Sequence, residues 1–260
     1  MAIWKKIYLA ALALTGMAAL SAPATAAEPP MTYSRCMALA RSDPEAAFDA
    51  AVNWRGLGGG EAAEHCTGVA LIGMGEHAEG ARRLEDLAQR LHAGPPVRAE
   101  LLAQAAQGWL LASNLGRAES VLNAAIGLAP ENGTLYVDRA AVRAQRQDYE
   151  AAADDLDRAI AIDPYDVDAL ALRASARRRL GDIEGALWDA EEALHIDANS
   201  TAALLERGLL RHAAGDGAGA RQDWLGILRI APNSPDGDAA RAEIEKLDVR
   251  IEGGKPPPRR

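Results

Sequence analysis

Arginine and aspartate recur in this chain at a spacing that could do chemistry. Arg139, Arg173 and Arg207 stand 34 residues apart, and each is followed sixteen residues later by an acid, Asp155, Asp189 or Asp223. Such a set can form bidentate guanidinium–carboxylate pairs inside the fold, or it can present a row of cations to an anionic ligand. A second row, Arg143, Arg177 and Arg211, lies four residues further on. Arg178 and Arg179 belong to neither row and complete the basic cluster ALRASARRRLGD (Ala171–Asp182). The other reactive side chains are sparse. Cys36 and Cys66 have no second cysteine pair or spaced histidine to make a metal site, and the five histidines are scattered. The acidic stretch DPYDVDAL (Asp163–Leu170) lacks the sixth-position glycine and twelfth-position glutamate of a calcium loop. No G-x-S-x-G, H-E-x-x-H or G-x-x-x-x-G-K motif occurs, so no catalytic residue, metal or cofactor is expected.

What must position these residues is helical. The 260 residues are 49% hydrophobic with only 4% aromatic, and the apolar share is dominated by Ala and Leu. Alanine loses no side-chain entropy in a helix and lets backbones approach, whereas alternating β-branched runs are scarce. The formal net charge of −9 argues against nucleic acid and anionic membrane surfaces as partners. At the N-terminus, Lys5 and Lys6 precede an apolar run, Ile7–Leu20, and Ala24-Thr25-Ala26 fits a cleavage site. Residues 1–26 are therefore expected to be a cleaved signal peptide, which implies a periplasmic or secreted protein without stable membrane insertion. The alternative is an uncleaved anchor.

The chain repeats. Leu135–Pro164, Leu170–Ala198 and Leu204–Pro232 each carry a helical pattern, a turn at Gln147-Asp148, Gly181-Asp182 or Gly215-Asp216, and a second helical pattern. Pro164 and Pro232 stop the second helix, and Asp166 and Ser200 are placed to cap the next one. A fourth copy, Leu101–Pro130, lies upstream, and a looser one precedes it until Gly94-Pro95-Pro96 breaks the phase by four residues. The expected organisation is a divergent helical cap over 27–60 and a degenerate repeat over 61–94. Repeats follow at 99–132, 133–166, 167–200 and 201–234, then a capping helix at 235–251 and a disordered tail at 252–260. The glycines of Gly56–Gly60 are expected to form a turn. Trp109, Trp188 and Trp224 are expected in the core.

These units resemble the tetratricopeptide repeat. The small residues Ala140, Ala174 and Gly208 of the first helix, and Ala152, Ala186 and Ala220 of the second, carry the resemblance. Leu156, Ala190 and Trp224 fall in the aromatic slot; the first helix departs from the pattern in holding arginine at two slots of all three units. The resemblance implies an all-α, right-handed superhelical solenoid of antiparallel helix pairs whose concave face, lined by first helices, grips a protein or peptide partner. Groove positions implied in this way are Gln107, Leu110, Ala141, Gln145, Ser175, Arg178, Arg179, Leu209 and His212. They make a mixed, mildly basic surface suited to a segment with some acid. The rival readings are a self-associating structural solenoid and an enzyme or ligand carrier with dispersed groove residues.

Within a hairpin, residues equidistant from the turn face each other, and each Arg–Asp pair is centred on Gln147, Gly181 or Gly215. In the Leu101–Pro130 copy both slots turn apolar together, as Ala105 and Val121. Arg139–Asp155, Arg173–Asp189 and Arg207–Asp223 are therefore expected to be ion pairs internal to each repeat. Arg143, Arg177 and Arg211 face Ala151, Gly185 and Gly219, where their stems can lie flat with the heads in water. That leaves Arg178 and Arg179 as the candidates to meet a partner; the alternative is that they contact only solvent. Cys36 and Cys66, separated by about one repeat, are expected to form a disulfide between stacked helices in an oxidising compartment; two buried free thiols are the alternative.

Overall fold

Gly181 and Gly215 show how the hairpins close. Both have positive φ, +86° and +88°, the left-handed conformation that ends one helix and turns the chain into the next. Asp182 and Asp216 follow at once, and their carboxylates accept from the backbone N–H three residues on, which caps the second helix. Asp166 and Ser200 cap the next first helices through Ala169 N and Ala203 N.

The computed structural model describes residues 30–253, with side chains described to residue 248. The proposed signal segment 1–26, and most of the tail, lie outside the described residues. In chain order the helices are α1 (Tyr33–Ser42), α2 (Pro44–Trp54), α3 (Gly60–Gly73), α4 (His77–Arg90), α5 (Pro95–Leu111) and α6 (Leu115–Leu128). There follow α7 (Gly133–Gln145), α8 (Tyr149–Ile162), α9 (Val167–Leu180), α10 (Ile183–Ile196), α11 (Thr201–Ala213), α12 (Gly217–Ile230) and α13 (Pro235–Gly253). No strand occurs among the described residues. The fold is an all-α solenoid of antiparallel helix pairs.

Each helix packs on the next in sequence, and first helices of successive hairpins also touch: α5 with α7, α7 with α9, α9 with α11, α11 with α13. The second helices α8, α10 and α12 make no comparable contacts with one another. The array is therefore tighter on the first-helix side, which makes that side the inner surface. Small residues let the hairpins close. Ala140, Ala152, Ala174, Ala186 and Ala220 are buried between helices, and Gly208 sits where a Cβ would collide with the Trp224 indole. Trp224, Ile227 and Leu204 form the last core layer, which Ala240 and Leu247 of α13 cover.

The four residues that break the repeat phase form an extra turn, not a loop. α5 begins at Pro95 and runs for 17 residues, against 13 in α7 and 14 in α9. Four residues are close to one 3.6-residue turn, so the buried face continues in register. Proline at the first helical position costs no hydrogen bond and fixes φ for the helix.

Gly56–Gly60 lies at the expected turn: the chain kinks between α2 and α3, with positive φ at Gly58 (+95°) and Gly60 (+53°). Two expectations need correction. Trp188 is 57% exposed. The buried stripe of α10 is Ala186, Asp189, Ala190 and Ala193, and position 188 falls on the opposite side of that helix. The last helix also extends to Gly253, two residues into the stretch read as a tail.

Candidate protein-binding surface

In the hairpin α9/α10, Arg173 donates from Nε to Asp189 Oδ2 (3.0 Å) and from Nη2 to Oδ1 (2.7 Å), with Asp189 fully buried. Arg139 makes the same fork on Asp155 (2.9 and 2.6 Å), and Arg207 on Asp223 (3.1 and 2.7 Å). The bonds to Asp155 hold the Arg139 guanidinium above its usual range, against the effect of burial. The second row does not send its heads to water. Arg143, Arg177 and Arg211 each donate from Nη1 to the same aspartate, at 2.9, 2.8 and 2.9 Å. A carboxylate has about four lone-pair sites, and a small residue opposite each second-row arginine leaves it a path to the one already occupied by the first. Each hairpin is thus locked by two guanidinium groups on one buried carboxylate.

The ladder also ties hairpins together. Arg139 Nη1 reaches Asn123 of α6 (2.6 Å), and Arg173 Nη1 reaches Asp157 of α8 (2.7 Å). In hairpin α5/α6, where Ala105 and Val121 are buried, the slot of Arg143 holds Trp109. Its indole N–H, together with Arg117, binds the buried carboxylate of Glu85 in α4.

On the inner surface, Gln107, Leu110 and Ala141 come together with Ala103 and Asp138 around a narrow recess between α5, α6 and α7. Ser175 and Leu209 lie half-buried on α9 and α11, Gln145 is exposed at the end of α7, and His212 packs on Trp224 with ring centroids 5.8 Å apart. The two arginines left for a partner are engaged within the chain. Arg178 donates from Nε and Nη2 to Glu206 of α11 (2.6 and 3.2 Å), and Arg179 lies 5.9 Å from the centre of the Tyr149 ring of α8. Arg178 is therefore neutralised on the groove wall, and Arg179 stands over the preceding hairpin.

The surface is consequently not mildly basic. Among the described residues, Glu61 on α3, Glu100 on α5 and Asp138 on α7 have no ion-pair partner, whereas of the two groove arginines only Arg179 lacks a carboxylate. Burial, with the Glu100 charge adding to it, lifts the Asp138 carboxyl from 3.8 to about 6. Sequence reasoning passed over Gln104, Asp138, Leu172 and Glu206, which share one first-helix slot, each immediately before a position of the Arg139 row or its equivalent. The 34-residue register contained that signal.

A further recess lies toward the N-terminus and was not anticipated. A cavity of about 610 Å³ opens between α1, α3, α4 and α5. Leu87, Leu91 and Leu101 form its floor, Pro96 and Val97 flank it, and Tyr33, Glu61, His65, Glu100 and Gln104 supply polar groups. Tyr33 Oη lies 2.9 Å from His65 Nδ1, and His65 Nε2 lies 2.7 Å from Gln104 Oε1. Because the Gln104 oxygen only accepts, His65 donates from Nε2, and the Tyr33 hydroxyl donates a hydrogen bond to Nδ1. The Gln104 amide in turn donates to Glu100 Oε1 (3.2 Å). Next to this chain, Cys36 of α1 and Cys66 of α3 stand in disulfide geometry with Cα atoms 6.1 Å apart. No cluster of three or more metal-ligating side chains occurs among the described residues, and no helix among them is long and apolar enough to cross a membrane.

Residues 110–177 match the family model for the tetratricopeptide repeat. No curated protein matches the chain in sequence. Among solved structures, MamA from Desulfovibrio magneticus RS-1 is 18% identical with a TM-score of 0.54, over 65% of this chain and 93% of that one. A chain of the APC/C hetero-tetramer Cut9–Hcn1 is 14% identical with a TM-score of 0.63, over 85% of this chain and 43% of that one. At these identities the likeness is one of fold.

Proposed function

We propose that this chain, which belongs to the tetratricopeptide-repeat family, is an exported scaffold that holds a protein or peptide partner on its inner surface and has no catalysis of its own. The observation that supports this reading is the division of labour among its charged groups. The Arg–Asp ladder is absorbed in holding hairpins together, whereas two recesses open beside the first helices, one between α1, α3, α4 and α5 and one between α5, α6 and α7. Such a surface offers an extended segment many small contacts, which suits moderate affinity over a large area. Export rests on the sequence: Lys5 and Lys6, the apolar run Ile7–Leu20 and the Ala24-Thr25-Ala26 site. An oxidising compartment would also keep Cys36 and Cys66 bonded.

Photo-crosslinking in the intact cell tests the reading. A benzophenone side chain at Leu110 or Ser175, on the inner surface, is expected to capture a distinct protein in the envelope or secreted fraction; one at Trp188, on the outer side, is not. Capture from position 188 alone, or of further copies of this chain alone, would replace the scaffold by a self-associating solenoid.

A further inference from the structure

The cavity between α1, α3, α4 and α5 lies outside residues 110–177 and outside the groove positions that the repeat register singles out. Its volume falls within the range that receives a bulky side chain or a short chain segment, and its floor is aliphatic. Its rim is chemically one-sided. The Tyr33 hydroxyl, the His65 Nε2–H and the Gln104 amide are each committed to another rim residue. What remains to meet a ligand is acceptors: the carboxylate of Glu61, which has no hydrogen-bond or ion-pair partner among the described residues, and the free lone pairs of Glu100. No Lys or Arg lines the cavity. The nearby groups register the same uncompensated negative charge. Glu100 adds to the burial that raises the Tyr33 hydroxyl, and to the burial that raises Asp138 further along the inner surface.

We propose that this cavity seats an aliphatic or aromatic side chain of an extended partner segment, and that Lys or Arg residues flanking it meet Glu61 and Glu100. The proposal rests on the scaffold reading and names the chemistry of the partner at the N-terminal end of the surface. Val97 and Tyr33, both about half exposed, would be covered by the segment. The carboxylates would gain cations that nothing in the described chain supplies. The Cys36–Cys66 pair contributes by holding α1 against α3, so that Tyr33 and His65 meet and the rim keeps its polarity.

Fluorescence anisotropy on the full-length chain tests this with three short fluorescein-labelled peptides of alternating Leu–Lys, Leu–Glu and Ser–Lys. The Leu–Lys peptide is expected to bind about tenfold or more tightly than either of the others. Its affinity should fall about tenfold in Glu61→Gln/Glu100→Gln, whose exposed isosteric changes leave the melting temperature unchanged. Equal affinity for Leu–Lys and Leu–Glu, no binding of Leu–Lys, or an unaltered affinity in the double variant overturns the proposal. Crosslinks from Leu110 and Ser175 to a partner are independent of Glu61 and Glu100, so these outcomes would remove the cavity assignment and leave the scaffold standing.

Discussion

Asp189 has no exposed surface and holds two guanidinium groups, so its contribution depends on both partners remaining. Removing the acid strands Arg173 and Arg177 against a dry interface, which costs more than the pair contributes over an apolar replacement. Asp189→Ala is expected to lower stability by roughly 3–5 kcal/mol, read from chemical denaturation. The control is within the molecule. Hairpin α5/α6 has Ala105 and Val121 in the same two slots, both buried, and its two helices still pack on each other. A denaturation midpoint unchanged in Asp189→Ala would refute the part these buried ion pairs take in holding the hairpin.

At the scale of the element, the turns show which sequence choices are strained. The residue that closes α9 and α11 is glycine with positive φ, whereas the turn after α7 places Gln147 at φ +64°. A side chain in the left-handed region costs roughly 1–2 kcal/mol, because Cβ crowds the neighbouring carbonyl. Gln147→Gly is expected to raise stability by roughly 0.5–1 kcal/mol, somewhat less than that because glycine also frees the unfolded chain. Thermal denaturation checks it, and a loss of stability would show that Gln147 makes a compensating contact. The extra first turn of α5 is the other informative element. It supplies Pro96 and Val97 to the cavity, so the four residues that interrupt the repeat are also part of what distinguishes this surface.

The whole molecule is a stack whose stability passes between neighbours, and its ends need covering. α13 does this at the C-terminal end. Ala240 and Leu247 complete the layer of Trp224 and Ile227, Thr201 Oγ1 donates to Asp236 (2.6 Å), and Arg221 pairs with Asp248. A chain ending at Ser234 is expected to melt several degrees lower and to scatter light on heating, since it exposes the aliphatic layer around a fully buried tryptophan. A truncated chain that melts unchanged and stays monodisperse would refute the capping role of α13.

The sequence by itself determined what happens inside one hairpin. A turn of known length fixes which residues of two antiparallel helices face each other. The pairing of Arg139, Arg173 and Arg207 with their aspartates, the small residues at the crossing and the caps at Asp166 and Ser200 were legible for that reason. Contacts between hairpins were not. Whether Arg178 reaches Glu206, whether Arg173 also binds Asp157, and whether Tyr33, His65 and Glu100 meet at one cavity depend on how each hairpin is tilted and displaced against the next. That displacement is set by the summed packing of many small side chains and carries no local mark in the chain. Only the tertiary structure decided that the cluster Arg177–Arg179 is neutralised or turned aside, and that the open surface keeps an acidic, aliphatic-floored end.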